Sequence, residues 1–297
     1  MTRESLKISI VIPCFNAGPF LAATLQSIVD QNARNVEVVI ADGGSDDDTL
    51  DVARAFSSLP IRIVSEPDRG QLDAVHKGLG LATGDILLWL NADDLVMPGA
   101  FDEVRAIFAR RQVDFVYSDD VAFDEDRKGL YYGATIRGLK DYDHFLFYRQ
   151  MYSECVYWRR EITRTLPDET FRFRVYTDYA FFLRLRWGRR GYWSKRRLGA
   201  FRIREMQASQ AHSARKRREY LDIKAMHREY IGMSETRFSV LKILYAPYFF
   251  IRHVLVPQAR RGVRKVWRKL TRDRARTAEA RFFFEQWLLP GNSKGPR

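Results

Sequence analysis

Short apolar runs alternate with helical spacing along the first ninety residues. Ile8 to Ile12, Val36 to Ala41, Ile61 to Val64 and Ile86 to Leu90 are too short for helices and read as buried strands. Between them, Leu21, Leu25, Ile28 and Val29 fall at i, i+4, i+7 and i+8, the spacing of one helical face. Leu72, Val75 and Leu79 form a second such face after the turn Asp68-Arg69-Gly70. Strand and helix in alternation predict an α/β fold, a mostly parallel sheet with helices on both sides. Ligands of such sheets lie beyond the carboxyl ends of the strands. The residues expected there are Pro13 to Asn16, Asp42 to Asp48, Glu66 to Gly70 and Asn91 to Asp94.

After residue 112 the pattern becomes mixed. It predicts a strand at Asp114 to Tyr117, an acidic turn at Asp119 to Asp126 and a hairpin through Tyr131 to Ile136. A strand at Cys155 to Trp158, a helix opening near Thr177-Asp178 and a strand ending at Phe201 follow. No linker or internal repeat interrupts this stretch, so residues 1–235 read as one domain. The composition then shifts: between Arg237 and Arg297 there are 15 Lys/Arg against 3 Asp/Glu, and residues 236–297 read as a separate element.

Composition narrows the function. With 46% hydrophobic and 29% charged residues the chain is globular in type, and its 297 residues can bury a sizeable core. Two cysteines, Cys14 and Cys155, cannot build a disulfide framework or a structural zinc site, and the five histidines show no ligand spacing. The apolar run after the polar start is too short for a secretory signal. The longest uncharged apolar stretch, Ile243 to Ile251, contains Pro247 and falls short of the roughly 20 residues of a spanning helix. A cytoplasmic protein is therefore expected. Its net charge of +13 divides unevenly, with −9 over residues 1–150 and +22 over residues 151–297. The acidic half suits metal-assisted chemistry, and the basic half suits phosphates, anionic lipid or nucleic acid.

Two strand ends carry candidate chemistry. Asp42, opening the octet Asp42-Gly-Gly-Ser-Asp-Asp-Asp-Thr49, can accept a nucleobase N–H or ribose hydroxyls, with glycines that let a ligand approach the backbone. Read alone, the octet is equally a turn before a capped helix. Asn91-Ala-Asp-Asp94 offers hard oxygen ligands suited to Mg²⁺ or Mn²⁺ on a diphosphate. Neither G-x-G-x-x-G after the first strand nor a P-loop occurs, so dinucleotide oxidoreductases and P-loop enzymes lack their signatures.

Taken in order, five segments resemble the inverting glycosyltransferases of family 2, which have the GT-A (Rossmann-like) nucleotide-sugar-binding fold. Ser9-Ile-Val-Ile-Pro-Cys-Phe-Asn16 resembles the family's opening strand and Ala41 to Thr49 its nucleotide-binding turn. Glu66-Pro-Asp-Arg-Gly-Gln-Leu-Asp-Ala74 with Lys77-Gly78 resembles the third signature, Asn91 to Asp94 the D-x-D region, and Tyr176-Thr-Asp-Tyr179 with Arg184 the catalytic segment. The resemblance covers about two thirds of the chain. It implies that Asp42 binds the base of a nucleotide-sugar donor, with Pro13, Phe15, Asn16 and Asp73 lining the nucleotide pocket. It implies a divalent ion, Mn²⁺ or Mg²⁺, on Asp93 with Asp94 beside it, and Asp178 as the general base toward an acceptor hydroxyl. Asn91 stands where many members carry the first Asp of D-x-D, which implies a looser metal dependence. Thr177 stands where many carry an acidic residue.

Three further residues have two readings each. Glu154, before the strand at Cys155, faces the acceptor or donor sugar or is an ordinary strand-end carboxylate. Arg202 and Arg204, in a segment resembling the family's closing loop with Gln207 and Ser209, contact diphosphate or an anionic acceptor, or belong to a solvated basic loop. Beyond Pro257, Ala259, Val263, Val266, Trp267 and Leu270 form one apolar helical stripe in a field of arginine and lysine. This is expected to be a basic amphipathic helix lying on an anionic membrane surface. The combined expectation is metal-assisted, inverting sugar transfer to a glycan or lipid-linked acceptor in cell-surface polysaccharide or glycolipid biosynthesis, with the enzyme peripheral on the cytoplasmic face and not bound to nucleic acid. The alternatives are a metal-dependent sugar nucleotidylyltransferase and a nucleic-acid-binding protein that uses the basic end. A processive synthase would carry spanning helices and a Q-x-x-R-W motif, and neither occurs.

Overall fold

The computed structural model describes residues 6–124, 129–132, 151–204 and 213–249. It divides the chain into two compact units, residues 1–140 with 150–220, and residues 141–149 with 221–297.

The first unit is built on a seven-stranded sheet. Strands β1 (Ile8–Cys14), β2 (Val36–Asp42), β3 (Ile61–Ser65) and β4 (Ile86–Trp89) appear where the apolar runs predict them. Their helices are α1 (Gly18–Val29), α2 (Thr49–Ala55) and α3 (Gln71–Leu81). Beyond them come β5 (Leu95–Val96), α4 (Ala100–Arg110), β6 (Phe115–Ser118), β7 (Val121–Asp124), β8 (Gly129–Tyr132) and β9 (Val156–Arg159). Next are the short α5 (Arg160–Thr163), α6 (Thr177–Arg186), β10 (Gly191–Ser194) and β11 (Gly199–Ile203). Helix α7 (Ser213–Tyr230) crosses the division between the units.

The large sheet runs β10-β6-β9-β4-β1-β2-β3. All its pairings are parallel except those of β9, which is antiparallel to both β4 and β6. A second sheet, β5-β11-β7-β8, has four strands.

Burial on both faces explains why β1 shows no polar alternation. Ile8, Ile10 and Ile12 join Leu21, Leu25 and Ile28 of α1 and Val104 of α4 in one cluster. On the opposite face Val11 lies under α3, where Gly78 leaves no room for a side chain: a Cβ there would collide with Val11 Cγ1. Farther along that second face, the Trp89 ring packs against Phe181 and Phe182 of α6, and Trp158 against Phe181.

Two expectations need correction. The acidic stretch Asp119 to Asp126 is not simply a turn, because Val121 and Phe123 are buried and draw residues 121–124 into β7. The hairpin pairs β7 with β8, Asp124 facing Gly129 and Val121 facing Tyr132. It therefore lies ahead of the expected Tyr131 to Ile136, of which residues 133–136 fall outside the described residues. So do the stripe beyond Pro257 and the loop residues Gln207 and Ser209.

In the second unit, α7 ends at Tyr230, and Gly232, at φ +64°, closes the turn after it. Helix α8 (Glu235–Phe249) follows, its backbone started by the Ser234 hydroxyl, which accepts the Arg237 N–H at 3.2 Å.

The far end of the sheet is fastened by Glu37. Its carboxylate accepts hydrogen bonds from Lys7 Nζ, the Ser9 hydroxyl, the Thr83 N–H at 2.6 Å and the Gly84 N–H at 3.2 Å. Burial alone would raise the Glu37 pKa, but these bonds, led by Lys7 and Ser9, hold it at about 2 instead of 4.5. A depressed carboxyl pKa adds stability above the unfolded value, and that stability disappears as pH falls from about 4.5 toward 2. The loss should be about 2 kcal/mol, less than the full shift because Lys7 remains partly solvated. Urea titrations of the parent and Glu37→Gln at pH 5.5 and pH 2.5 check this. The gap between the two proteins should shrink at the lower pH, and an unchanged gap would remove Glu37 as the cause.

Candidate functional site

The parallel register decides what meets at the carboxyl ends of β1, β2 and β3. Cys14 pairs with Asp42 and Asp42 with Ser65, so Asp42 sits between two neighbouring strand ends. Its Oδ2 accepts the N–H groups of Gly44 at 3.1 Å and Ser45 at 3.0 Å and the Ser65 hydroxyl at 2.6 Å. The Ser45 hydroxyl bonds Oδ1. Burial pushes the Asp42 pKa upward, but the hydroxyls of Ser45 and Ser65 and the backbone donors outweigh it and keep it below the ordinary carboxylate range. Oδ2 is saturated, while Oδ1 retains one acceptor position for a ligand.

The first turn is held against this one. Asn16, at φ +49°, donates its N–H to Ser45 Oγ at 2.8 Å and accepts the Asp46 N–H at 3.1 Å. Pro13 is buried in β1, and the Phe15 ring beside it is 66% exposed at the mouth of the turn.

Asn91 to Asp94 follow β4 and are fixed from α1: the Thr24 hydroxyl donates to Ala92 O at 2.8 Å, and Ser27 Oγ accepts the Val96 N–H at 3.0 Å. Asp94 is fully buried. Its Oδ1 accepts the Arg202 N–H at 3.0 Å, and its Oδ2 accepts Asn91 Nδ2 at 2.9 Å. Burial and then the charge of Asp93 push the Asp94 carboxyl above its usual range. Asp93 is more open; its Oδ2 is held by Arg204 Nε at 2.7 Å, and its carbonyl accepts Arg202 Nε at 2.8 Å. The two arginines read as loop candidates therefore converge on the Asp93-Asp94 pair. The thiol of Cys14 feels the same gathering: burial pushes it up, and the charges of Asp42, Asp47 and Asp93 reinforce the shift.

Asp178 is the second residue of α6. Its Oδ1 accepts the following N–H, of Tyr179, at 2.7 Å, in the first turn, where a negative charge is favoured by the helix dipole. The segment ahead of it is tied by Glu219, which accepts the Val175 N–H at 2.8 Å. Glu154 is fully buried in a turn of 3₁₀ helix, Ser153–Cys155. Burial raises its pKa, and so do the charges of Asp94, Asp120 and Asp178.

Asp73 lies in the first turn of α3. Its carboxylate is held by Arg69, at 2.6 Å, and by Lys77, at 3.5 Å. Asn91 carries more than the sequence indicated: its Oδ1 accepts both Trp89 Nε1 and Gln71 Nε2 at 2.9 Å. Ser65, Thr24, Ser27 and Gln71 support the site through hydrogen bonds, and of these only Gln71 falls in a segment that resembles a family motif.

The donor set can be tested for a divalent ion. Asn91 Oδ1 and both oxygens of Asp94 already accept protein donors, and no group of three His, Cys, Asp or Glu among the described residues could hold a metal. Asp93, paired through Oδ2 alone, fits as a single carboxylate anchor, with the rest of the coordination left to phosphate oxygens and water.

Comparison with known proteins shows the family and the fold. The family model for glycosyl transferase family 2 matches residues 9–181. A PGL/p-HBAD biosynthesis glycosyltransferase of Mycobacterium tuberculosis is 35% identical over 181 residues, which span 59% of this chain and 68% of the relative. Glycosyltransferase GlyG of Streptococcus pneumoniae is 24% identical over 131 residues, 43% of this chain and 44% of GlyG. Among solved structures, S. aureus TarS 1–349 in complex with UDP-GlcNAc superimposes with a TM-score of 0.63 at 15% identity, covering 83% of this chain and 73% of that one. At that identity the likeness is one of fold.

Proposed function

Because the chain belongs to glycosyl transferase family 2, we propose that it moves a sugar from a nucleotide-sugar donor to a hydroxyl of a glycan or lipid-linked acceptor, with inversion, in cell-surface polysaccharide or glycolipid biosynthesis. The observation that carries this reading is the arrangement of carboxylates by environment. Asp42 and Asp93 lie at the carboxyl ends of β2 and β4, on either side of β1, and the start of α6 that bears Asp178 is hydrogen-bonded through Thr177 and Gln71 to Asn91, in the same loop as Asp93. Family membership sets the nucleotidylyltransferase reading aside.

In this reading the free acceptor position of Asp42 takes a base N–H, and Pro13, Phe15 and Asn16 shape the turn around the nucleotide, with Asp73 behind it. Asp93 would hold Mn²⁺ or Mg²⁺, with Asp94 fixed beside it, and the ion would supply positive charge toward the leaving diphosphate. Arg202 and Arg204 bring further positive charge to the same place. Asp178 takes the proton of the acceptor hydroxyl as its oxygen bonds the anomeric carbon and the bond to the diphosphate breaks. Glu154 faces the acceptor or donor sugar.

A thermal-shift panel of UDP, GDP and dTDP sugars with and without Mn²⁺ should select a donor, because binding to the folded state raises the midpoint. NMR of the transfer product should then show the inverted anomer. Retention would refute the mechanism, and a panel without any response or turnover would refute the donor class.

We assign residues 1–235 to catalysis and residues 236–297 to an anionic membrane surface on the cytoplasmic side. The 15 Lys/Arg against 3 Asp/Glu between Arg237 and Arg297 and the exposed Val240 and Ile243 of α8, 49% and 71% exposed, support this. The full-length protein should float with anionic vesicles and much less with neutral ones. Protein that stays at the bottom with anionic vesicles at low salt contradicts the assignment.

A further inference from the structure

One line of hydrogen bonds in the catalytic unit is explained neither by donor binding nor by proton abstraction. The Thr177 hydroxyl, on the first residue of α6, donates to Gln71 Oε1 at 2.9 Å across 106 residues of sequence. Gln71 Nε2 donates to Asn91 Oδ1 at 2.9 Å, Asn91 Nδ2 to Asp94 Oδ2 at 2.9 Å, and the Arg202 N–H to Asp94 Oδ1 at 3.0 Å.

Its direction follows from chemistry. An indole N–H only donates, so the Asn91 atom facing Trp89 Nε1 at 2.9 Å must be the oxygen. Gln71 must then meet that oxygen with its NH₂, which leaves its own oxygen for the Thr177 hydroxyl. Each amide has one orientation that satisfies its neighbours. Gly70, at φ +120°, makes the turn from which Gln71 starts α3.

Resting on the reading of Asp178 as the base, we propose that Gln71 is a positioning residue that ties the N-terminus of α6, and with it Asp178, to the donor-site loop Asn91 to Asp94. The rest of α6 is anchored farther along, through Phe181 and Phe182 against Trp89, so the turn bearing Asp178 depends on contacts near its own end. Gln71 is itself exposed, and its loss leaves the packed core untouched. Small misplacements of a reacting group are costly to rate.

A first experiment needs no substrate. In the full-length protein, the Trp89 indole ¹H–¹⁵N resonance, assigned with Trp89→Phe, should move in Thr177→Val and should not move further when Thr177→Val is added to Gln71→Ala. An undiminished shift in the Gln71→Ala background would mean that α6 acts on Trp89 by packing alone, and would overturn the relay. A second experiment reads function with the donor that the thermal-shift panel selects. Gln71→Ala should lower kcat about tenfold, with donor KM within about twofold. Thr177→Ser should keep the parental kcat, Thr177→Val should match Gln71→Ala, and the double variant should be no slower than either single one. A lowered thermal midpoint with parental kcat, or additive losses, would overturn the proposal. Parental transfer by Asp178→Asn would remove the base on which it rests, whereas the indole measurement reads the hydrogen bonds independently.

Discussion

Asp178→Asn is expected to bind its nucleotide sugar as tightly as the parent and to transfer sugar about 10²- to 10⁴-fold more slowly, the range general base catalysis contributes. That loss corresponds to about 3–5 kcal/mol of transition-state stabilisation. The effect on folding should be much smaller. Asn keeps an oxygen for the Tyr179 N–H that now bonds Asp178 Oδ1 at 2.7 Å, and a charge in the first turn of a helix is worth about 0.3–1 kcal/mol. A kinetic collapse with a nearly unchanged thermal midpoint is therefore the signature. Single-turnover transfer and calorimetric donor binding, measured on the same preparation, decide it. A variant that turns over within a few-fold of the parent would exclude Asp178 as the base, and one that loses the donor would place Asp178 on the donor side instead.

The sheet was legible because β1, β2 and β4 are buried on both faces and so appear as nearly continuous apolar runs whose ends can be read directly. The placement of Asp42 and Asp93 at the carboxyl ends of the sheet was legible for the same reason, because each stands where a buried strand ends. What escaped depends on contacts distant in sequence. β5 has only two residues and exists because β11 pairs with it. β7 was hidden by the charges of Asp119, Asp120 and Asp124, although Val121 and Phe123 alternate inward. Asn91 invited comparison with a metal ligand, yet its oxygen is occupied by Trp89 and by Gln71, which lies 20 residues away. Asp73 is the opposite case. Its partners Arg69 and Lys77 stand four residues to either side, a spacing visible in the sequence and consistent with an ion-paired helix start.

Asp93→Ala should erase the part of nucleotide affinity that depends on divalent metal. With UDP and GDP as probes, Kd in Mn²⁺ should rise about 10- to 100-fold, the range by which single groups at metal sites commonly act, and meet the value measured in EDTA. The present partner of Asp93 does not prevent this role. The Arg204–Asp93 pair closes at 2.7 Å, but the arginine side chain is 43% exposed, and a pair so open to water contributes at most about 1 kcal/mol. A divalent ion arriving with a diphosphate can displace it at little cost, and the released guanidinium remains close enough to serve the phosphates. Arg204→Met should therefore separate two effects: Mn²⁺ should titrate the nucleotide complex at lower concentration because Asp93 is unopposed, while nucleotide affinity in EDTA should fall because a cation is gone. Neither substitution removes buried apolar area, so both proteins should melt close to the parent. If Asp93→Ala retains the full Mn²⁺ enhancement, the ion is held elsewhere and the single-carboxylate anchor is wrong.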